Sequence, residues 1–216
     1  MRASMLASTL VLAACGGVQP DVARGGPAGE PPAGQPPAAQ PAGGVATDEL
    51  ASTLRFMREE EKLAHDVYAV LGARWGLVTF SNIQASEARH TEAVRGLLVS
   101  YGVEDPAAGR AAGEFVDPAL AGLYTALVAE GSASVEAALN VGAQIEDLDL
   151  VDLAVRGEGV PSDVATVFGQ LSRGSRNHLR AFVGQLDARG VTFTPTHLSA
   201  EDYTAIISTP TERGGH

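Results

Sequence analysis

The chain has 216 residues, of which 19% are charged and only 5% aromatic, and it carries a formal net charge of −11. That length holds one domain with additions, and few aromatics with abundant alanine favour close-packed helices over a β core. The negative charge sets nucleic acid aside as a partner, and a single cysteine, Cys15, excludes an internal disulfide and any site built from several thiolates.

The chain opens as a secretory leader. Arg2 is basic and Met5 to Ala14 is an apolar stretch too short to span a bilayer. Leu12-Ala13-Ala14-Cys15 resembles the bacterial lipobox, in which the leader is cut before a cysteine that is then lipidated; a plain secretory signal with a chance cysteine is the alternative. The expectation is residues 1–14 as lipoprotein signal and Cys15 as the anchor to membrane lipid. This places the protein in the bacterial envelope, at the outer membrane or the outer face of the cytoplasmic membrane. Residues 15–46 are rich in Pro, Gly and Ala and cannot bury a core, so they are expected to form a disordered tether.

The folded domain is predicted over 47–208, with a disordered tail over 209–216. Thr47 caps a first helix that runs to about Arg74. Ser81-Asn82-Ile83-Gln84 is a capping-box pattern for a second, ended by Gly102. A long connection follows, with a short helix from Asp117-Pro118 to Gly131. Ser132 or Ser134 opens a third long helix that stops near Gly157. Pro161-Ser162-Asp163 opens a fourth, closed by Gly190, and Ser199 starts a short terminal helix. No strand alternation stands out. The fold class is therefore all-α: four long helices, with one long crossover between the second and third, plus short extra helices.

Each long helix has an apolar stripe at steps of three and four, and each stripe has a polar interruption near its middle. The first reads Leu54, Met57, Glu61, Ala64, Tyr68, Leu71. The second reads Ile83, Glu87, His90, Val94, Leu97, Tyr101. The third reads Val135, Leu139, Gly142, Glu146, Asp149, Leu153, with a rival stripe through Ala138, Val141, Ile145 and Leu148 that would turn Glu146 partly outward. The fourth reads Phe168, Leu171, Ser175, His178, Phe182, Gln185. Antiparallel packing would bring Glu61, Glu87, His90, Glu146 and His178 to one depth, with Asp149 a turn from Glu146. Carboxylates gathered in a core repel one another unless protons or a cation intervene, and a divalent cation also uses the imidazoles. Carboxylate and imidazole donors suit iron, manganese or zinc rather than a thiophilic ion. The Glu59-Glu60-Glu61 run otherwise reads as a solvated face, with Arg58 and Lys62 as counter-charges.

Several segments carry a family resemblance. Glu61-x-x-Ala64-x-x-x-Tyr68 and Glu87-x-x-His90 resemble the ligand segments of rubrerythrins and other ferritin-like proteins. Met57 to Ala64, Phe80-Ser81-Asn82-Ile83, Ile145 to Asp149 and Gly174 to Phe182 are similar to an uncharacterised bacterial and archaeal branch of that superfamily, of the domain-of-unknown-function 2202 type. The resemblance implies a ferritin-like bundle holding two iron ions or one, iron with manganese, or zinc. It implies Glu87 as bridge, Glu61 and Glu146 as terminal ligands, and His90 and His178 on one metal each. The family pattern has a Glu three residues before the fourth-helix His. Here that position is Ser175, so either Asp149 supplies the missing carboxylate or the site holds one metal, with a second bound only loosely. The implied activity is a ferroxidase or a peroxide-reducing oxidoreductase, dependent on an external electron donor or partner protein because no cysteine pair is present. A dimer is compatible with this. A non-catalytic metal-binding lipoprotein, or a metal-free interaction lipoprotein with its carboxylates paired to Arg173, Arg176 or Arg180, is the alternative.

Overall fold

The computed structural model describes residues 44–213. Cys15, the expected leader and nearly all of the expected tether lie outside them. The described residues form six helices: α1 (Asp48–Trp75), α2 (Val78–Ser100), α3 (Pro118–Gly131), α4 (Val135–Arg156), α5 (Ser162–Asp187) and α6 (Ala200–Ile207). Among these residues there is no strand, and no helix is long and apolar enough to cross a membrane.

Local chemistry sets most of the boundaries. The Thr47 hydroxyl accepts from Leu50 N at 3.2 Å, and Gly76, at φ 65°, ends α1 in the left-handed region by donating to Gly72 O. Asp117 caps α3 through Ala119 N, with Pro118 at its first position; Ser134 caps α4 and Ser199 caps α6. α2 departs from expectation. It begins at Val78, a turn before the Ser81 pattern, and has no side-chain cap. Phe80 explains the early start: it is fully buried among Tyr68 and Phe182, and a helical turn there seats its ring. α5 stops at Asp187, and Gly190 closes the following turn rather than the helix.

The four long helices touch in a ring, α1 to α2 to α5 to α4 and back to α1, while α3 lies on α1 and α4 and α6 lies on α5. Their apolar side chains form two clusters. One gathers Leu54, Met57, Val94, Leu98, Leu153, Phe168 and Leu171. The other gathers Tyr68, Leu71, Phe80, Leu139, Leu179 and Phe182. α1 and α5 run from the first cluster to the second, and α2 and α4 run the opposite way, so neighbours in the ring are antiparallel. The connection from α2 to α4 must then travel the length of the bundle, and α3 is the part that packs down on the way.

Burial along the stripes largely matches the periodicity, with three corrections. Both stripes of α4 are buried because α3 covers its outer side; Glu146 is only 2% exposed and Leu148 half-buried. The α5 stripe ends on Leu186 rather than Gln185. Glu59, Glu60 and Glu61 are all buried, so the acidic run is not a solvated face. Glu59 accepts from the backbone of Val116 and Asp117, which ties the crossover to α1. Arg58 and Lys62 serve Asp105 and Asp66 rather than the glutamates. The tail expected to be loose from 209 is held as far as Glu212, which pairs with Arg176 at 2.6 Å and Arg180 at 3.0 Å.

Candidate metal centre

A polar layer separates the two apolar clusters. Glu61 enters it from α1, Glu87 and His90 from α2, Glu146 and Asp149 from α4, and Ser175 and His178 from α5, every one of them buried. Two donor groups form there, each with its ligand atoms within 4.8 Å of one another: Glu61, Glu87 and His90, and Glu87, Glu146 and His178. Glu87 belongs to both. Its Oε2 lies 2.9 Å from His90 Nδ1 and its Oε1 2.7 Å from His178 Nδ1. Glu61 Oε2 is 3.3 Å from His90 Nδ1, and Glu146 Oε1 is 3.4 Å from His178 Nδ1. The two imidazoles stack with centroids 5.4 Å apart. Their mid-stripe positions bring five of the six predicted ligands into these two groups.

Proximity here is not hydrogen bonding. His90 Nδ1, His178 Nδ1, Glu87 Oε1 and Glu61 Oε1 are buried and none has an aligned partner. With the imidazoles neutral, lone pairs of both residue types would face one another across the space between the side chains. A buried polar atom left this way is costly, and a cation within each of the two groups would satisfy them. No Arg or Lys is paired with Glu61, Glu87, Glu146 or Asp149 among the described residues; Arg176 and Arg180 turn to Glu212 instead.

The charges reflect this crowding. Burial works against the anionic form of Glu87, yet His90 and His178 on either side hold it well below the usual carboxylate range. Burial raises Glu61, Asp149 adds to the rise, and His90 opposes it. Burial likewise raises Glu146, against His178. Burial alone would lower the two imidazoles. Glu87 and Glu61 nevertheless push His90 up to about 11, and Glu146 and Glu87 push His178 up to about 10. At neutral pH without metal, protons on the imidazoles stand where a cation would.

Asp149, the sixth predicted ligand, is not in either converging group. Its Oδ2 accepts from Ser175 Oγ at 2.6 Å, and its Oδ1 has no partner. Burial and then Glu146 raise it to about 7. Ser175 thus fills the place of the expected Glu by orienting a carboxylate from the neighbouring helix. Tyr68 supports the other side, donating to Glu146 Oε1 at 2.6 Å and packing its ring on Phe80 and Phe182. Burial, then Glu146, raise its phenol well above the ordinary value, so it stays a proton donor at neutral pH.

Two contributors escaped the sequence reading. Glu60 is 3% exposed with neither oxygen partnered. Its signal was the crossover itself, since a helical link as long as the bundle must cover some face of α1. Gly174 is the second: a Cβ there would lie 2.5 Å from His90 Nε2, so only glycine leaves room for the ring. The motif had drawn notice to Ser175 and not to its neighbour.

Comparison with known proteins follows the same outline. Residues 51–210 match the family described as an uncharacterized protein domain, DUF2202. Uncharacterized protein MJ0754 of Methanocaldococcus jannaschii is 46% identical over 159 residues, covering 73% of this chain and 86% of that protein. The crystal structure of that hypothetical protein superposes with a TM-score of 0.76 at 41% identity, over 83% of this chain and 100% of the other.

Proposed function

The chain therefore belongs to the DUF2202 family of uncharacterized proteins, and from that premise we propose that its helical domain is a ferritin-like bundle that binds two divalent ions, with redox-active iron or iron with manganese as the functional load. The observation that carries this reading is Glu87, shared between two otherwise separate carboxylate–imidazole groups whose donor atoms lack other partners. The ring of four long helices and the full-length crossover support the ferritin-like assignment. Carboxylate and imidazole donors fit iron or manganese, with zinc as the redox-silent competitor.

When bound, the metal would supply electron transfer to dioxygen or peroxide, with Fe(II) itself as a substrate in a ferroxidase role. The chain's own residues do the rest. Glu87 spans the two halves, Glu61 and Glu146 close the ends, and His90 and His178 release their protons to become ligands. Tyr68 holds Glu146 in place through its hydroxyl. The apolar clusters on either side of the polar layer limit water around it. With no cysteine pair, electrons would come from an external donor or partner protein. We further propose that lipidation at Cys15 anchors the protein to an envelope membrane, a reading carried by Leu12-Ala13-Ala14-Cys15.

A second reading, metal binding without turnover, is favoured by Ser175: α5 contributes one imidazole and no carboxylate, which leaves the second half short of a ligand. Anaerobic addition of Fe(II) followed by air separates the two. An active centre gives a ferric absorption in the near ultraviolet, formed faster than in buffer and lost in Glu87→Gln and His90→Ala. Binding with no oxidation above background supports the second reading, and an equal band in both variants would sink the assignment of the centre.

A further inference from the structure

The outer side of α5 carries a second polar site. Ser175 and His178 face the bundle interior, while Arg176, Asn177 and Arg180 meet the segment after α6. Arg176 takes the Glu212 carboxylate with both arms of its fork, Nε at 2.7 Å and Nη2 at 2.6 Å, and Arg180 Nη2 donates to it at 3.0 Å. Asn177 brackets the backbone of the same residue, accepting from Glu212 N at 2.8 Å and donating to Glu212 O at 3.0 Å. A guanidinium fork of this kind selects a carboxylate by shape as well as charge. The same cluster is part of the wall of a cavity of about 620 Å³ between α4, α5 and α6, to which α4 contributes the apolar side chains Leu150, Val151, Ala154 and Val155. An apolar wall with a few convergent charged groups, at this volume, is the make-up of a small-molecule site.

We propose that this cavity binds a small carboxylate with an apolar body, whose head group replaces Glu212 between Arg176 and Arg180 and whose body lies along the α4 wall. Glu212 is then a built-in competitor that holds the site until such a ligand arrives. The head group follows from the one already seated there, and the body from the open apolar wall beside it. Glu212 can leave cheaply: its segment is not helical and gives no side chain to either apolar cluster. The receptor outlasts it. Arg180 stays fixed by Ile206 O at 2.9 Å and Asn177 Oδ1 at 2.8 Å, whereas Arg176 has no other hydrogen-bond partner among the described residues and needs a new anion. Asp202, the other carboxylate on the wall, is taken up by Ser199 at 2.6 Å. The proposal does not rest on the metal centre.

The test is calorimetric titration of the full chain with octanoate, with acetate as the head group alone and octanol as the body alone. A tethered competitor acts at high effective concentration, so Glu212→Gln should bind octanoate roughly 10-fold or more tighter than wild type. Adding Arg176→Gln to Glu212→Gln should cancel the gain. Ala154→Trp, at an exposed position on the apolar wall, should weaken octanoate binding both in wild type and beside Glu212→Gln, so the outcome does not hang on one variant. Acetate and octanol should each bind Glu212→Gln far more weakly than octanoate. Equal octanoate affinity in wild type and Glu212→Gln, or binding to neither, with helicity unchanged, would overturn the site. Octanol binding as tightly as octanoate would overturn the recognition of a carboxylate.

Discussion

The centre is set by contacts of single atoms, and Gly174 is the most sensitive of them. His90 presents Nδ1 to Glu61 and Glu87, while its Nε2 rests over the α5 backbone where a Cβ would come within 2.5 Å. Gly174→Ala must rotate or push the ring, because the clash is with the imidazole itself and the helix cannot yield. The exchange also places a better helix former mid-helix, worth up to about 1 kcal/mol to the metal-free fold. The expected result is a domain of unchanged helicity and similar melting temperature whose Mn(II) or Fe(II) affinity drops roughly 10–100-fold, as when a ligand's orienting contact is lost. Calorimetric titration of the variant checks it, and wild-type affinity would show that His90 is not a ligand.

At the scale of elements, buried carboxylates pin the connections. Asp147 is fully buried on α4 and accepts from Thr196 N and Oγ1, His197 N and Leu198 N, all between 2.7 and 3.2 Å. It holds the segment that leads into α6, much as Glu59 holds the entry to α3. Asp147→Ala leaves three backbone donors unsatisfied under that loop, a loss of roughly 2–5 kcal/mol if each costs about 1 kcal/mol or more. Urea unfolding should show that loss, with metal stoichiometry at Glu87 unchanged; a shift below about 1 kcal/mol would mean the loop finds other partners. These staples were not legible in the sequence. Periodicity found the faces that meet inside the ring, hence the long helices, their stripes and the polar interruptions at Glu61, Glu87, His90, Glu146 and His178. It could not tell that α3, the crossover and the segment before α6 cover the outer sides of α1 and α4, because those contacts join residues some fifty positions apart with no repeating spacing. Glu59, Glu60 and Lys62 therefore looked like surface charges, and nothing in the spacing marked Asp66 or Asp147 as buried. The early start of α2 was hidden for a related reason: the burial of Phe80 outweighed the local capping preference at Ser81.

For the whole molecule, the crowding of charge makes stability a function of pH and metal together. Asp149 is raised from 3.8 to about 7 by burial and then Glu146, so the folded state holds a proton that the unfolded chain has released. Its contribution to stability falls as pH climbs through that window, and the raised Glu60, Glu61 and Glu146 act in the same direction. His90 and His178, raised from 6.5 to about 11 and about 10, stabilise the fold fully only below 6.5 and lose that effect as pH rises toward their folded values. Glu87 and Glu212 are lowered from 4.5 and act the other way, but only in acid; above about pH 4.5 the metal-free domain should therefore lose stability steadily as pH rises. A cation reverses the trend, since it binds the deprotonated ligands and its affinity rises over the same range. The rise in melting temperature caused by saturating Mn(II) should then be larger at pH 8 than at pH 5.5. With about 2–4 °C per kcal/mol in a domain of this size, the difference should be roughly 5 °C or more. Melting curves at the two pH values, each with and without Mn(II), measure it directly. A metal-induced rise that is equal at both, or greater in acid, would mean that protons and metal do not compete for these side chains, and the converging groups around Glu87 would need another explanation.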